Sequence, residues 1–236
     1  MTMSDRIYQI VSELDTGTKL IGTHSQRPLA LLGPANSPYL NAVATRAGQM
    51  GIPFLWGEQL AGRSAEDLGR LSLVWDIKYH SWSGFFDQCR RNGALDPDSI
   101  RTEGVSCCSM ACQFILDALP GPKPTETLVA ISGRGHAQKY LIDNLRYSGY
   151  STIAVHHDSA RELIRLAATE ADVVINTSPY IKWPWELGNT YVLDTVGTAP
   201  HRRDWPGYIG PKAIGALTVS VLLRRYANME VCNGRA

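Results

Sequence analysis

The residues best placed to do chemistry lie in one stretch, VAISGRGHAQKYLIDNLRYSGYSTIAVHH, from Val129 to His157. Gly133, Arg134 and Gly135 stand there between a short apolar run and a segment with helical spacing. Two glycines at such a junction let a phosphate approach the backbone N–H groups of a helix start. Arg134 adds a planar fork able to make two hydrogen bonds to the same group. Glycine-containing turns also occur without any ligand, and the three-glycine dinucleotide fingerprint is incomplete, so this segment alone leaves both readings open. The second apolar run ends at His156 and His157, with Asp158, Ser159 and Arg161 beyond. In a dinucleotide fold an acidic residue at that point favours a ribose with free hydroxyls, and a cation favours a 2′-phosphate. The histidines and arginines lean toward phosphate, while Asp158 leaves the question unsettled.

Such a turn needs a βαβ frame, and the pattern around it supplies one. Val129 to Ile131 reads as a strand, Lys139 to Tyr147 as a helix with Leu141, Ile142 and Leu145 on one side, and Ser151 to Val155 as the next strand. An earlier unit has the same logic: a strand at Pro28 to Leu32, a helix at Tyr39 to Met50 ended by Gly51, and a strand at Ile52 to Trp56. Before it, Asp5 to Leu14 forms a helix that Ser4 can cap. Ala65 to Arg70 and Ser109 to Leu119 have helical composition, Leu71 to Ile77 reads as a strand, and the aromatic-rich segment between them is irregular. Farther on come a helix at Ser159 to Thr169 with Leu163, Leu166 and Ala167 toward the sheet, strands at Ala171 to Ile175 and Tyr191 to Leu193, and a helix at Ile214 to Tyr226. The expectation is an α/β, two-lobed chain with a C-terminal Rossmann-like parallel sheet. GPKPTE at 121–126 serves as the hinge. Residues 1–122 would form the N-terminal α/β substrate-side domain and 123–236 the nucleotide-binding domain with its C-terminal helix. A cleft would open at the carboxyl ends of the strands.

Composition removes several function classes. The formal charge is +1, from 23 basic and 22 acidic residues, and no long basic block is present. Nucleic acid is therefore not an expected partner. No apolar run approaches the roughly 18 residues of a membrane span, and no apolar leader opens the chain, which points to a cytoplasmic protein. The five cysteines, Cys89, Cys107, Cys108, Cys112 and Cys232, lack the two-cluster spacing of a zinc site, so no metal is expected and the central three belong at a helix entry.

Several separated segments then coincide with one family. LALLGPANSPYLNAVATRAGQMGI, from Leu29 to Ile52, resembles the early strand, serine-containing turn and tyrosine-led helix of methylenetetrahydrofolate dehydrogenase/cyclohydrolase (FolD-like) proteins, with Ser37 and Tyr39 on matching positions. VAISGRGHAQKY is similar to the nicotinamide-cofactor segment of that family, with Gly135 where it has serine and Lys139 where it has a second glycine. ADVVINTS, VLDTVG and PGYIGPKAIGALTVSVLLRRY follow in order, placing Asp194, Pro206, Gly207, Gly210 and Pro211 on family positions. The resemblance implies NADP or NAD as cofactor, a small-molecule substrate of folate type, and a homodimer.

The departures from that pattern bear on activity. The catalytic lysine of the family falls at Val43, and Thr45 replaces the second basic residue of the same helix. SCCSMACQFIL, at the place of the family's proline-cysteine-threonine-proline turn, has neither proline. The leucine-proline-leucine-proline segment is missing around LVWDIKYHSWSG, and LDPDS at Leu95 to Ser99 is a poor replacement for the family's pterin-anchoring aspartate-valine-aspartate-glycine. An uncharged branched side chain shuttles no proton, so cyclohydrolase activity is expected to be absent, whereas hydride transfer depends mainly on alignment. The substrate stays open between a folate and another flat metabolite.

The candidate site follows from these segments. Ser132, Gly133, Arg134, Gly135 and His136 would hold cofactor phosphates, with His157 near the ribose and Gly197 leaving room for the nicotinamide. Tyr39, Trp82, Gly210 and Pro211 would face the substrate, with Trp75, Phe85, Phe86 and the WPWE segment at Trp183 to Glu186 as further aromatic wall. Tyr39, His80 and Lys212 are the candidate catalytic groups: an orienting hydroxyl, a proton carrier and a cation opposite the missing lysine. The leading function is an NAD(P)-dependent dehydrogenase or reductase. The alternatives are a non-catalytic nucleotide- or folate-binding protein with a regulatory or scaffolding role, and a non-redox enzyme that kept the same shell.

Overall fold

The structure, a computed structural model, describes residues 2–21, 27–100, 104–121, 123–184, 190–198 and 205–233, without the side chains of 136, 137 and 230–233. Trp185 and Glu186 of the expected aromatic wall lie outside the described residues, as do the side chains of His136 and Cys232. The chain is α/β and divides into two units, Ser12–Glu103 with Val219–Ala236 and Met1–Val11 with Gly104–Thr218. Every strand pairing in both sheets is parallel.

In the first unit the sheet has three strands, β1 (Leu29–Leu32), β2 (Phe54–Trp56) and β3 (Ser72–Trp75), in the order β2-β1-β3. Helix α2 (Pro38–Gln49) links β1 to β2; Ser37 caps it by accepting from Leu40 N at 3.2 Å, and Pro38 opens its first turn. Its C-terminus closes where Ile52 N returns to Ala47 O at 2.9 Å. Strands β1 and β3 are buried at every position, which requires cover on both faces. Ala30 and Leu32 pair in register with Leu73 and Trp75, and this face packs on Leu68, Phe86 and Cys89.

Phe86 lies on α4 (Ser83–Arg91), which follows the short helix α3 (Ala65–Gly69) and β3. The sequence pattern left the α4 region irregular. Its glycine and polar positions hide the stripe made by Phe86 and Cys89, both fully buried. Strand β3 is also shorter than expected. It stops at Trp75, and His80 opens a 3₁₀ turn instead of continuing the alternation of Asp76 and Lys78.

In the second unit the sheet has five strands: β4 (Leu128–Ser132), β5 (Ser151–Val155), β6 (Val173–Asn176), β7 (Tyr191–Asp194) and β8 (Tyr208–Ile209), ordered β5-β4-β6-β7-β8. Helices α5 (Cys107–Ala118), α6 (His136–Tyr147) and α7 (Arg161–Glu170) precede or connect them. Cys107 opens α5 behind the cap Ser106, as the helix-entry reading expected. Ala130, Val174 and Val192 share one register row and one face, against which α7 lays Ala167 and Ala168. Ala167 of α7 meets the sheet as expected, but its companions there are Ile164 and Ala168, while Leu163 and Leu166 are 39% and 51% exposed. Small side chains at those positions let the helix approach the strands closely.

Two long helices, α1 (Met3–Ile21) and α8 (Pro211–Asn233), flank the chain. Thr2, two residues ahead of the expected Ser4, caps α1: Thr2 N donates to Asp5 Oδ2 at 2.7 Å and Asp5 N to Thr2 Oγ1 at 3.2 Å. The expected stripe of α8, Ile214, Leu217, Val221 and Leu222, is buried throughout. Among the described residues no helix is long and apolar enough to cross a membrane.

Candidate functional site

Strand order locates the site before any side chain does. In β5-β4-β6-β7-β8 the direction of winding reverses between β4 and β6, and ligands of open parallel sheets bind beyond the carboxyl ends of the strands at that reversal. Strands β4, β6 and β7 each close on a polar residue: Ser132, Asn176 and Asp194. These three are register partners, two positions beyond the apolar row of Ala130, Val174 and Val192, and so on the same face. All three are fully buried.

Burial obliges them to bond to one another. Ser132 Oγ donates to Asn176 Oδ1 at 2.8 Å, and Asn176 Nδ2 donates to Asp194 Oδ1 at 3.1 Å and Thr198 Oγ1 at 2.8 Å. Trp183 Nε1 donates to Asn176 Oδ1 at 3.2 Å, which fixes the orientation of the amide because an indole N–H only donates. Asp194 Oδ1 also accepts from the backbone N–H groups of Val196 and Gly197 at 3.2 and 3.0 Å, and Oδ2 from Tyr208 Oη at 3.2 Å. The row therefore sets the loop after β7 from beneath.

At β4 the same row sets the glycine turn. Thr177 N donates to Ser132 Oγ at 2.9 Å, and Thr177 Oγ1 donates to the Ser132 carbonyl. This draws the Thr177 side chain against Gly133, where a Cβ would lie 2.6 Å from Thr177 Oγ1. Gly133 also has φ +122, a conformation that L side chains rarely adopt. Gly135 then takes the N-cap position of α6, with no side chain capping the helix and open space where its Cβ would be. The N–H groups of that first turn thus carry no side-chain cap, and the helix dipole favours negative charge beside them. These features fit the phosphates of a dinucleotide.

Arg134 projects from the turn but is paired: its Nη2 lies 2.7 Å from Asp158 Oδ2. The other oxygen of Asp158 meets His156 Nδ1. Burial first, then the positive charge of Arg134 and the neighbouring His157, hold the His156 imidazole below its ordinary range. His157 is exposed, its ring centroid 6.5 Å from that of Tyr180 in the loop after β6.

The remaining candidates fall into two groups. Gly197, Gly210 and Pro211 lie around the loop that Asp194 organises: a Cβ at Gly197 would meet the Pro211 ring, and one at Gly210 the Tyr208 ring. Lys212, in the first turn of α8, is exposed. In the three-stranded sheet the winding reverses beside β1, and Gly33 (φ +152) follows that strand as Gly133 follows β4. Ser37 Oγ donates to Asp76 Oδ2 at 2.7 Å in a buried pair, and Tyr39 Oη donates to Asp98 Oδ2 at 3.1 Å. LDPDS therefore does bring a carboxylate to the tyrosine of α2. Val43 is fully buried, His80 is exposed, and Trp82 is half-buried with Phe85 against the core that contains Phe86. Trp75 and Phe86 stack in that core with centroids 5.4 Å apart.

Sequence reasoning passed over Asn176 and placed Trp183 only in an aromatic wall, not as a hydrogen-bond donor to the polar row. The available signal was that LVAIS, VVIN and YVLD each end in a polar residue after an apolar run. A separate cleft of about 430 Å³, lined by Lys123, Thr127, Asp172 and Tyr191, lies at the opposite, amino ends of β4, β6 and β7, away from this chemistry.

No family description and no curated protein sequence matches the chain. Solved structures do. The Trypanosoma brucei methylenetetrahydrofolate dehydrogenase-cyclohydrolase, complexed with NADP and an inhibitor, is 17% identical and superposes with a TM-score of 0.69 over 100% of this chain and 98% of its own. The Bombyx mori methylenetetrahydrofolate dehydrogenase is 13% identical with a TM-score of 0.71 over 100% and 98%. The NAD-dependent enzyme of Saccharomyces cerevisiae is 14% identical with a TM-score of 0.61 over 99% and 98%. At these identities the likeness shows the fold alone: the chain shares the fold of these structures over nearly all of its length.

Proposed function

We propose that the chain is an NAD(P)-dependent dehydrogenase or reductase that moves a hydride to or from a small planar, folate-like substrate and lacks cyclohydrolase activity. The observation that carries the reading is the uncapped start of α6 behind Gly133 and Gly135, at the winding reversal of a chain with this fold. The backbone of 133–136 would hold the phosphates, and a bound nicotinamide would supply the hydride chemistry. Residues 1–122 would serve the substrate and 123–236 the nucleotide, in a homodimer.

The α2 region supports hydride transfer over hydrolysis. Hydrolysis of a methenyl carbon needs a group that moves a proton. Val43 offers none, and Asp76 and Asp98 already accept hydrogen bonds from Ser37 and Tyr39. Hydride transfer asks mainly for two rings held in register. Tyr39 would orient the substrate, Trp82 would flank it, and His80 and Lys212 would supply the remaining polar contacts. The same pairing of Asp76 and Asp98 favours, as the second reading, a binding protein without turnover.

Calorimetry with NAD, NADP and folate, followed by nicotinamide absorbance in the presence of methylene-tetrahydrofolate, tests both. Binding with turnover is the expected result, alongside hydrolysis of methenyl-tetrahydrofolate at the uncatalysed rate. Binding without turnover on any folate selects the second reading, and failure of both dinucleotides and of folate to bind refutes both.

A further inference from the structure

The arginine of the glycine turn is held by an acid from the next strand. Asp158, three residues past the end of β5, places one carboxylate oxygen 2.7 Å from Arg134 Nη2 and the other at His156 Nδ1. Strand β5 is the neighbour of β4 on the side away from the winding reversal. In a doubly wound nucleotide-binding sheet, the end of that strand is where the adenosine ribose lies. An acid there accepts from ribose hydroxyls, whereas a free arginine accommodates a 2′-phosphate. Here both residue types are present and tied to each other, so charge balance decides between them.

A 2′-phosphate brings nearly two negative charges. The Arg134–Asp158 pair offers it no net charge. The His156 ring, held below its ordinary range by burial and the adjacent cations, adds little at neutral pH. To reach Arg134, a phosphate would have to displace a carboxylate that remains beside it. A ribose hydroxyl needs no displacement, because each carboxylate oxygen retains a second acceptor site after its present contact.

We propose that Asp158 sets cofactor choice: by occupying Arg134 and presenting a carboxylate at the ribose subsite, it selects a dinucleotide with a free 2′-hydroxyl, NAD, over one with a 2′-phosphate, NADP. The inference rests on the dinucleotide-binding reading above. It assigns to Asp158, and not to Arg134, the discriminating role that the surrounding histidines and arginines suggested for a phosphate-binding cluster.

The test is calorimetric titration of NAD and NADP into the wild type, Asp158→Asn, and the double variant with Arg134→Ala. Both residues are substantially exposed, so the variants are expected to fold, and thermal melts check that they do. Wild type should bind NAD at least about tenfold tighter than NADP. Removing one charge about 4 Å from a doubly charged group in water shifts the NADP-to-NAD affinity ratio by about thirtyfold, the equivalent of about 2 kcal/mol. Arg134→Ala in the Asp158→Asn background should abolish that gain. Discrimination in the wild type should also weaken with added salt. A wild type that prefers NADP, or a ratio in Asp158→Asn within threefold of wild type, overturns the inference while leaving dinucleotide binding intact. Binding of neither dinucleotide overturns the parent reading together with it.

Discussion

Asn176→Asp probes the buried polar row with almost no change of volume. The amide of Asn176 uses all four of its hydrogen-bonding capacities, donating to Asp194 Oδ1 and Thr198 Oγ1 and accepting from Ser132 Oγ and Trp183 Nε1. After the substitution, an oxygen replaces the nitrogen that now lies 3.1 Å from Asp194, in a site where both residues are fully buried. Two full charges at that separation repel by about 5 kcal/mol at an effective dielectric of about 20. The folded protein avoids part of this by keeping a proton on the introduced carboxyl. A rise of about 2 to 3 pK units in that carboxyl costs about 3 to 4 kcal/mol once the unfolded chain is ionised.

The sign follows from proton linkage. The introduced carboxyl titrates near 3.9 when unfolded and higher when folded, so the folded variant binds more protons between those values and its stability falls as pH rises. Denaturation with urea from pH 4 to pH 8 should show a variant close to wild type at the acid end and about 3 to 4 kcal/mol less stable above about pH 7. A loss that is constant across this range, or below about 1 kcal/mol at pH 7.5, would refute the reasoning, because it would mean that Asn176 and Asp194 are hydrated or apart.

Gly133→Ala should cost about 2 to 4 kcal/mol by denaturant unfolding, since it combines a positive φ with a Cβ driven into Thr177 Oγ1. Phe86→Ala should cost about 3 to 5 kcal/mol by the same measurement, because the ring is fully buried against Trp75. Alkylation of native protein followed by peptide mass spectrometry should label Cys108 before Cys89, Cys107 and Cys112, which are buried; burial pushes the Cys89 thiol up to about 11 and leaves about one part in a thousand as thiolate at pH 8. Ultraviolet titration should find Tyr150 ionising near 12, raised by burial first and then by the Asp117 carboxylate that accepts from its hydroxyl. Its folded value lies above the unfolded one, so this contribution is intact below pH 10 and lost as pH rises through about 12.

The parallel strands were legible because they are short, apolar and closed by turn residues, and β5 has the bounds its sequence pattern predicts. Helix α4 was not, because its glycine and charged positions interrupt a stripe of only two buried residues, Phe86 and the small Cys89. The buried face of α7 was misread in part for a related reason. Leu163 and Leu166 outrank alanine in any hydrophobic ranking, yet the sheet accepts Ala167 and Ala168 because their small size permits close packing. At the site, Gly133 and Arg134 were visible as residue types. The pairing of Arg134 with Asp158 was not, since the βαβ pattern brings the two strand ends together without fixing which charged side chains there bond to each other.

The two sheets pose the same topological problem and answer it differently. Each winds outward from its first strand, so each reverses beside that strand, and each follows it with a glycine at positive φ, Gly33 or Gly133. What separates them is the helix start that comes next. At α2, Ser37 fills the cap position and bonds Leu40 N, while Pro38 removes one of the N–H groups that would otherwise face outward. Ser37 Oγ is bonded in turn to Asp76, whose carboxylate repels an anion at the same spot. At α6, Gly135 supplies no cap and the next residues keep their N–H groups. A helix terminus attracts a phosphate only while its donors are unspent and no fixed negative charge stands beside them. Of the two winding reversals, then, the one at Gly133 to His136 keeps a helix start without a side-chain cap and has its nearby Asp158 carboxylate balanced by Arg134, whereas the one after β1 is closed by a serine cap, a proline and the Asp76 carboxylate.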